Sequence, residues 1–454
     1  MRIILLHIII LAFGCYSQQE VAYTVFNETN SSIGSDVNYN VHQTPDGIVY
    51  VSGNAGIQRF DGKNFYSYAK EGKGIAISSS QHDHSGRLWA NTFHGDIYHL
   101  ENDSLIRHPI SDQINGLSKF YRLSKGFYII TRYKVFCLDE NKLKFHVEDL
   151  SPSPIMSVNS VDGQDYCFNF KNKSFIDLTG YKTRQLKKEF LNLSDCIPIN
   201  VRDDSYTYHK VENLLYNVRS AIEGTSIDTM SLPYKGKVNF ADYIDGHFYI
   251  CGMNGIRVYD RNGILLHDIL PKVQVSRVIK DFEGNLLVST VSHGLILITD
   301  LSIKNFKYDN YLDEERIIRS AIGPGNAIYL GTNAGLVLRH DLSFNKIDTV
   351  RLSKRSEITA LYYDTIRDHL FVFSDRLFVV DKKTLQILKE FKTSAIKQVC
   401  SNRSHVAVGS RSRVLKLHAD SLEKIKETGW SISLTNYDSN SFIISTKKRA
   451  FSYR

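Results

Sequence analysis

The sequence predicts an all-β chain, a β-propeller of four-stranded antiparallel blades, from three observations. A hairpin-like unit recurs along the chain, its copies are evenly spaced, and no helical period competes with it over any long window. The clearest copy is Gly47–Phe65, GIVYVSGNAGIQRFDGKNF, which reads as a strand (Ile48–Ser52), a turn at Asn54-Ala55-Gly56, a return strand (Ile57–Phe60) and a turn at Asp61-Gly62. Val, Ile, Tyr and Phe suit a pleated, half-buried surface, and Asn, Asp and Gly suit tight turns.

Good copies follow at Gly86–Asn102, Gly246–Asp260, Gly284–Asp300 and Gly325–Arg339. Weaker ones fill Gly126–Asp139, Gly163–Asp177, Asp204–Val218, Asp368–Asp381, Ser404–Leu417 and Asn440–Tyr453. Aligned on the residue before the return strand, they give Gly56, Gly95, Lys134, Lys173, Asn213, Gly255, Gly294, Gly335, Arg376, Arg413 and Arg449, in steps of 36 to 42 residues. Each copy also carries an inner apolar run, such as Ile75–Ser78, and an outer one, such as Leu105–Pro109. Four short strands per period of about forty residues is the arithmetic of a propeller blade. Helical repeats of similar length would place apolar residues at i, i+3, i+4 and i+7, and this chain does not.

In chain order, Met1-Arg2 precedes an apolar run, Ile3–Phe13, that is short for a bilayer span and has the layout of a secretory signal. Residues 1–17 are read as that signal, cut between Ser17 and Gln18, with lipid attachment at Cys15 as the alternative. No second apolar segment of spanning length follows, so the expected location is periplasmic or secreted, or lipid-anchored through Cys15. Residues 18–300 are expected to form a seven-bladed ring, and 301–454 a partial second propeller of about four blades. Ala22–Phe26 has the look of an outermost strand placed ahead of a first blade, which would complete the last blade and clasp the ring shut. Ile303–Tyr308, followed by the polar Asp309–Arg316, repeats that layout before the second set. Four copies do not close a ring of seven, so either the chain is a fragment of something longer or the eleven copies close in a less usual way.

Beyond Cys15, the cysteines are Cys137, Cys167, Cys196, Cys251 and Cys400, an odd set without metal or redox spacing, read as small core fillers. A formal charge of +8 over 454 residues is modest and scattered. Its densest patches, Lys182–Lys188 and Lys447-Lys448-Arg449, read as solvated blade edges rather than a nucleic-acid surface.

The search for chemistry is mostly negative. His82-Asp83-His84 offers ligand types for a metal but no matching third ligand nearby, so no metal site is assigned. His94 and His293 precede turn glycines in two copies and read as turn residues; Asn54, Asn254 and Asn333 are expected to take left-handed backbone there. Gly56, Gly95, Gly255, Gly294 and Gly335 are read as structural turn residues. Asp313-Glu314-Glu315 reads as a solvated loop, and no pair of acids stands out as a glycosidase pair.

The units GIVYVSGNAGIQRFDG, GRLWANTFHGDIYHL, GNLLVSTVSHGLILI and GNAIYLGTNAGLVLR resemble the two-component regulator propeller repeat, which builds the periplasmic sensor of hybrid two-component systems, chiefly in the Bacteroidetes. Asp46-Gly47, Asp83 with Gly86, Asp245-Gly246 and Asp281 with Gly284 match its opening; Thr92, Ser289-Thr290 and Gly331-Thr332 match its centre. The strand tryptophan of the repeat survives once, at Trp89. The resemblance implies an exported sensor module for signal transduction, in a truncated or output-less form, binding a glycan fragment or other small ligand and acting with a membrane-bound regulator protein. It implies no enzyme activity, no cofactor and no nucleic-acid partner. The alternatives are a protein-interaction scaffold and a propeller glycosidase or lyase.

Overall fold

The second strand of each blade reads as a nearly continuous apolar run, because both of its faces are covered. In the computed structural model Val49–Gly53, Leu88–Thr92, Leu286–Thr290 and Val406–Ser410 are buried at every residue. The outermost strands behave oppositely: Ile387–Phe391 is exposed until Phe391, and Leu422–Glu427 alternates charges that discourage edge pairing.

The structure describes residues 18–68, 75–114, 116–131, 134–139, 142–148, 156–169, 174–178, 183–185, 196–200, 205–223, 229–307, 312, 315–340, 347–352, 356–393, 396–410, 412–418, 420–427, 431–446 and 450–453. The proposed signal with Cys15 and Ser17, the acids Asp313 and Glu314, and the Lys447-Lys448-Arg449 patch lie outside them; Gln18 opens a short strand. Two compact units emerge, Glu20–Asn305 and Phe306–Arg454, the latter grouping with Gln18 and Gln19.

In the first unit, blades 1 to 7 have inner strands Asn38–Gln43, Ile77–His82, Lys119–Arg122, Met156–Val161, Cys196–Asn200, Val238–Ile244 and Val275–Lys280. Blades 1 to 6 each run inner to outer through four consecutive antiparallel strands. Blade 7 takes its fourth strand from the other end of the unit, with Thr24, Val25 and Phe26 facing Leu297, Ile296 and Leu295. In the second unit, blades 8 to 10 (inner strands Ile317–Ile322, Ala360–Asp364 and Ile396–Ser401) have four strands each, and Ser431–Asn436 begins a sheet of three among the described residues.

The core lies between blades rather than within them, as expected of a unit too small to bury its own faces. Tyr50 and Ile57 of blade 1 pack on Ile77, Leu88 and Tyr98 of blade 2. Tyr249, Cys251 and Val258 of blade 6 pack on Val278, Val288 and Ile296 of blade 7. Val41, Val51 and Phe65 of blade 1 pack on Leu287 and Leu295 of blade 7, so the last interface joins the first. The second unit repeats the scheme, with Phe371, Phe373 and Val379 of blade 9 against Val399, Val406 and Val408 of blade 10. Cys137, Cys167, Cys251 and Cys400 are buried within these layers, and burial pushes the Cys400 thiol up to about 12.

One device was invisible in the sequence. The register slips by one residue just after the inner strand begins, at Asn38/Asn40, Ile77/Ser79, Val238/Phe240 and Val275/Arg277, and again at Ile317/Arg319, Ile396/Gln398 and Ser431/Ser433. A bulge bends the strand and re-aims its side chains. Here it frees polar groups to bind the next blade: Asn239 Nδ2 donates to Val275 O at 2.8 Å, Ser276 Oγ to Asn38 O at 2.7 Å, and Asn40 Nδ2 to Ser80 O at 2.6 Å. Gln398 does the same in the second unit, trading two amide bonds with Leu434 at 2.7 and 2.9 Å.

Candidate functional site

Inner strands of the first unit, those of blades 1, 2, 6 and 7 bulged, surround a cavity of about 350 Å³. Blades 1, 2, 3, 5, 6 and 7 all contribute, and the bulged residues Tyr39, Ser78, Asn239 and Ser276 are among its walls. Its apolar surface comes from Phe120, Phe240 and Ile197, and from Phe93 and Leu117, which are 45% and 51% exposed. Tyr39 meets Phe93 edge-on at 5.0 Å and donates its hydroxyl to Asn54 Oδ1 at 2.8 Å, which fixes that side. Volume, concavity and a few converging polar groups are the usual marks of a ligand site.

Its charged groups are Lys119, Arg122, Asp242 and Arg277. Arg277 Nη1 donates to Asn40 Oδ1 at 2.8 Å, and its guanidinium lies over the Phe240 ring at 4.8 Å. Burial disfavours its charge, an effect partly offset by Asp242 and Tyr121 nearby. Burial likewise raises the Asp242 carboxyl, against the pull of Arg277 and of the Tyr243 backbone N–H, which donates to Asp242 Oδ1 at 2.8 Å. Tyr121 is raised by burial as well.

Beside this set, His42 and His82 stack at 5.9 Å, and His42 also stacks on Tyr50 at 5.6 Å. His42 Nδ1 meets Ser80 Oγ at 3.2 Å, and Ser80 Oγ meets Ser52 Oγ at 2.9 Å. Arg122 Nη1 is bonded to His82 Nε2. A guanidinium can only donate, so that nitrogen accepts and the ring is neutral with its proton on Nδ1. Burial, then Arg122, brings His82 down to about 4; burial, then Arg277 and His82, holds His42 well below its usual value.

Acid is therefore expected to loosen blades 1 and 2. His82 is protonated in the unfolded chain below about 6.5 but resists protonation in the fold, so its stabilising contribution is complete above that pH and is lost as pH falls toward 4. After allowance for its partial contact with solvent, the loss is about 1–2 kcal/mol. Urea midpoints at the two ends of this range should differ less in His82→Gln than in the unmodified protein; equal differences would refute the assignment.

The residues singled out in the sequence fall elsewhere. Gly56, Gly95, Gly255, Gly294 and Gly335 have φ of 89°, 103°, 83°, 73° and 84° at the hairpin turns of their blades. Asn54, Asn254 and Asn333 do not take the left-handed backbone expected of them, since the nearby glycine does so instead. Their side chains tie the turn to the segment entering the same blade: Asn254 Nδ2 donates to Lys235 O at 2.6 Å, and Asn333 Oδ1 accepts from Arg316 N at 2.7 Å. Asp83 caps the turn after the inner strand of blade 2, accepting from Ser85 N at 2.9 Å, Arg87 N at 3.0 Å and Trp89 Nε1 at 2.8 Å. Its neighbour His82 is engaged with Arg122, so the structure does not bring the three residues His82, Asp83 and His84 to one point. Among the described residues no group of three His, Cys, Asp or Glu side chains could hold a metal ion.

Arg277, Asp242, Arg122 and Asn40 were missed because each stands in its own blade's inner strand and no residue of the same type recurs at that place in the other copies of the first unit. Lining up the inner strands of all copies and looking for polar residues just past their starts would have flagged them.

Among solved structures the chain is similar to the extracellular domain of a protein described as a hybrid two-component system from B. thetaiotaomicron, with a TM-score of 0.65 at 13% identity over 94% of this chain and 64% of that one. It is also similar to a streptogramin B lyase, with a TM-score of 0.50 at 10% identity over 64% of this chain and 98% of that one. Virginiamycin B lyase from Staphylococcus aureus matches equally, with a TM-score of 0.50 at 10% identity, 62% of this chain and 99% of that one. No family model matches the chain, and no curated protein does. The chain thus spans somewhat less than two thirds of the sensor domain it resembles. At these identities the likeness is one of fold, that of a β-propeller.

Proposed function

We propose that the chain is an exported propeller that binds a small ligand, a glycan fragment by class, in the channel of its first unit and reports it to a membrane-bound regulator. Residues 18–300 act as the closed seven-bladed body and 301–454 as part of a second propeller; the leader ends at Ser17. The observation that carries this reading is the channel itself. Aromatic faces from Tyr39, Phe93 and Phe240 stand beside Asn40, Asn239, Asp242 and Arg277 in one cavity of about 350 Å³. Aromatic faces suit sugar rings and the amide and charged groups suit hydroxyls.

The same walls favour binding over hydrolysis. Among the described lining residues Asp242 is the one carboxylate, whereas glycoside hydrolysis ordinarily uses two. No helix among the described residues is long and apolar enough to cross a membrane, so the regulator would be a separate span or a separate protein.

The test is calorimetric titration of protein recovered from the periplasm, beginning at Gln18, against a panel of small oligosaccharides. Saturable binding without product formation is expected, lost on widening the channel wall by Tyr39→Ala and Phe240→Ala together. Turnover of any panel member, or binding untouched by the double variant, would overturn the reading.

A further inference from the structure

The cations of the channel outnumber its acids, and one of them is held ready. Arg277 is fixed from two sides, by the 2.8 Å bond from Nη1 to Asn40 and by the Phe240 ring beneath it. Its Nε is buried and has no hydrogen-bond partner among the described residues. None of the ion pairs among those residues involves Arg277, and Asp242 interacts with it through the field rather than by contact. A guanidinium in a cavity wall with no paired carboxylate is costly, and a guanidinium edge is shaped for the two oxygens of a carboxylate.

Resting on the binding reading above, we infer that the channel selects a ligand that bears a carboxylate beside hydroxyl groups, a sugar acid rather than a neutral sugar, and that Arg277 receives the carboxylate. Asp242 does not compete for that place. It forms no ion pair with Arg277 among the described residues, and its oxygens stand in the cavity wall where they can accept hydrogen bonds from a ligand hydroxyl. Asn239 and Gln81 add amide groups to the same wall, while Lys119 and Arg122 make the cavity electropositive as a whole.

The experiment compares glucuronate, galacturonate and their disaccharides with the matching neutral sugars, by titration into the full chain at fixed pH and ionic strength. The acids should bind at least about tenfold tighter than their neutral partners, a preference that added salt weakens. In Arg277→Gln the preference should fall below about twofold; Arg277→Lys, which keeps the charge but loses the fork, should retain part of it. If Arg277→Gln fails to fold, the acid-to-neutral ratio of the unmodified protein and its salt dependence decide alone. Neutral sugars binding as tightly as acids would overturn the carboxylate inference and leave the sugar-binding reading standing. An acid preference unchanged in either variant would remove Arg277 from the role. Silence toward both sets would overturn both.

Discussion

A chain carrying Phe26→Asp is expected to lose the cooperative melting of its first unit. Phe26 ends the short strand that completes blade 7, and its ring meets Phe60 edge-on at 5.0 Å and Phe65 at 6.0 Å. The same layer contains Val49 and Val51 of blade 1 and Leu287 and Leu295 of blade 7, so one side chain bridges the two ends of the unit. Losing the ring costs about 2–3 kcal/mol, less than for a wholly buried phenylalanine because Phe26 is half-buried. Placing a carboxylate among these groups adds about 2–4 kcal/mol more. The sum approaches the whole stability margin of an ordinary domain. Thr24→Asp, at the exposed first position of the same strand, should shift the melt by no more than about 2 °C. Circular dichroism melts of the two variants decide it, and equal behaviour would show that the clasp contributes little.

The second large effect is expected at Gly255. Its φ is 83°, and a methyl group there would overlap the carbonyl oxygens of Ile269 and Leu270, which cannot retreat without breaking the outer strand of blade 6. Gly255→Ala should therefore cost about 3–5 kcal/mol, from left-handed strain plus the backbone clash. Gly284 has a similar φ of 93° but only the end of the Lys280 side chain nearby. Gly284→Ala should cost about 1 kcal/mol, the conformational part alone. Chemical denaturation separates the two cases. Similar losses at both positions would mean that close approach is not what keeps glycine at 255.

The chain advertises some parts of the molecule and conceals others. Strand pairs, turns and their period were legible because each copy must solve the same problem of covering two faces, and does so with the same residue types. The clasp was legible too: an unpaired strand-like segment, Ala22–Phe26, precedes the first copy, and the structure pairs Thr24–Phe26 with blade 7. The channel was not legible. Each of the six blades that line it gives a different residue, Asn40, Gln81, Tyr121, Pro198, Asp242 and Arg277 in turn, so repetition hides them rather than marking them. The bulges that aim these strands leave no signature either, since any residue tolerates the extra position. The asparagines of the turns were misread for a related reason: beside a glycine the left-handed backbone goes to the residue with no Cβ, and Asn254 is left to bind through its side chain.

The origin of the seventh blade constrains how the protein is made. Val25 leaves the ribosome early, and its partner Ile296 follows about 270 residues later. Until then the intervening sheets can stack in succession as an open arc with two raw ends, exposed to wrong partners in a crowded compartment. Assembly thus has a last step that no local segment can perform, and a helper that shields the early strand would raise the yield of correctly joined molecules without touching their final stability.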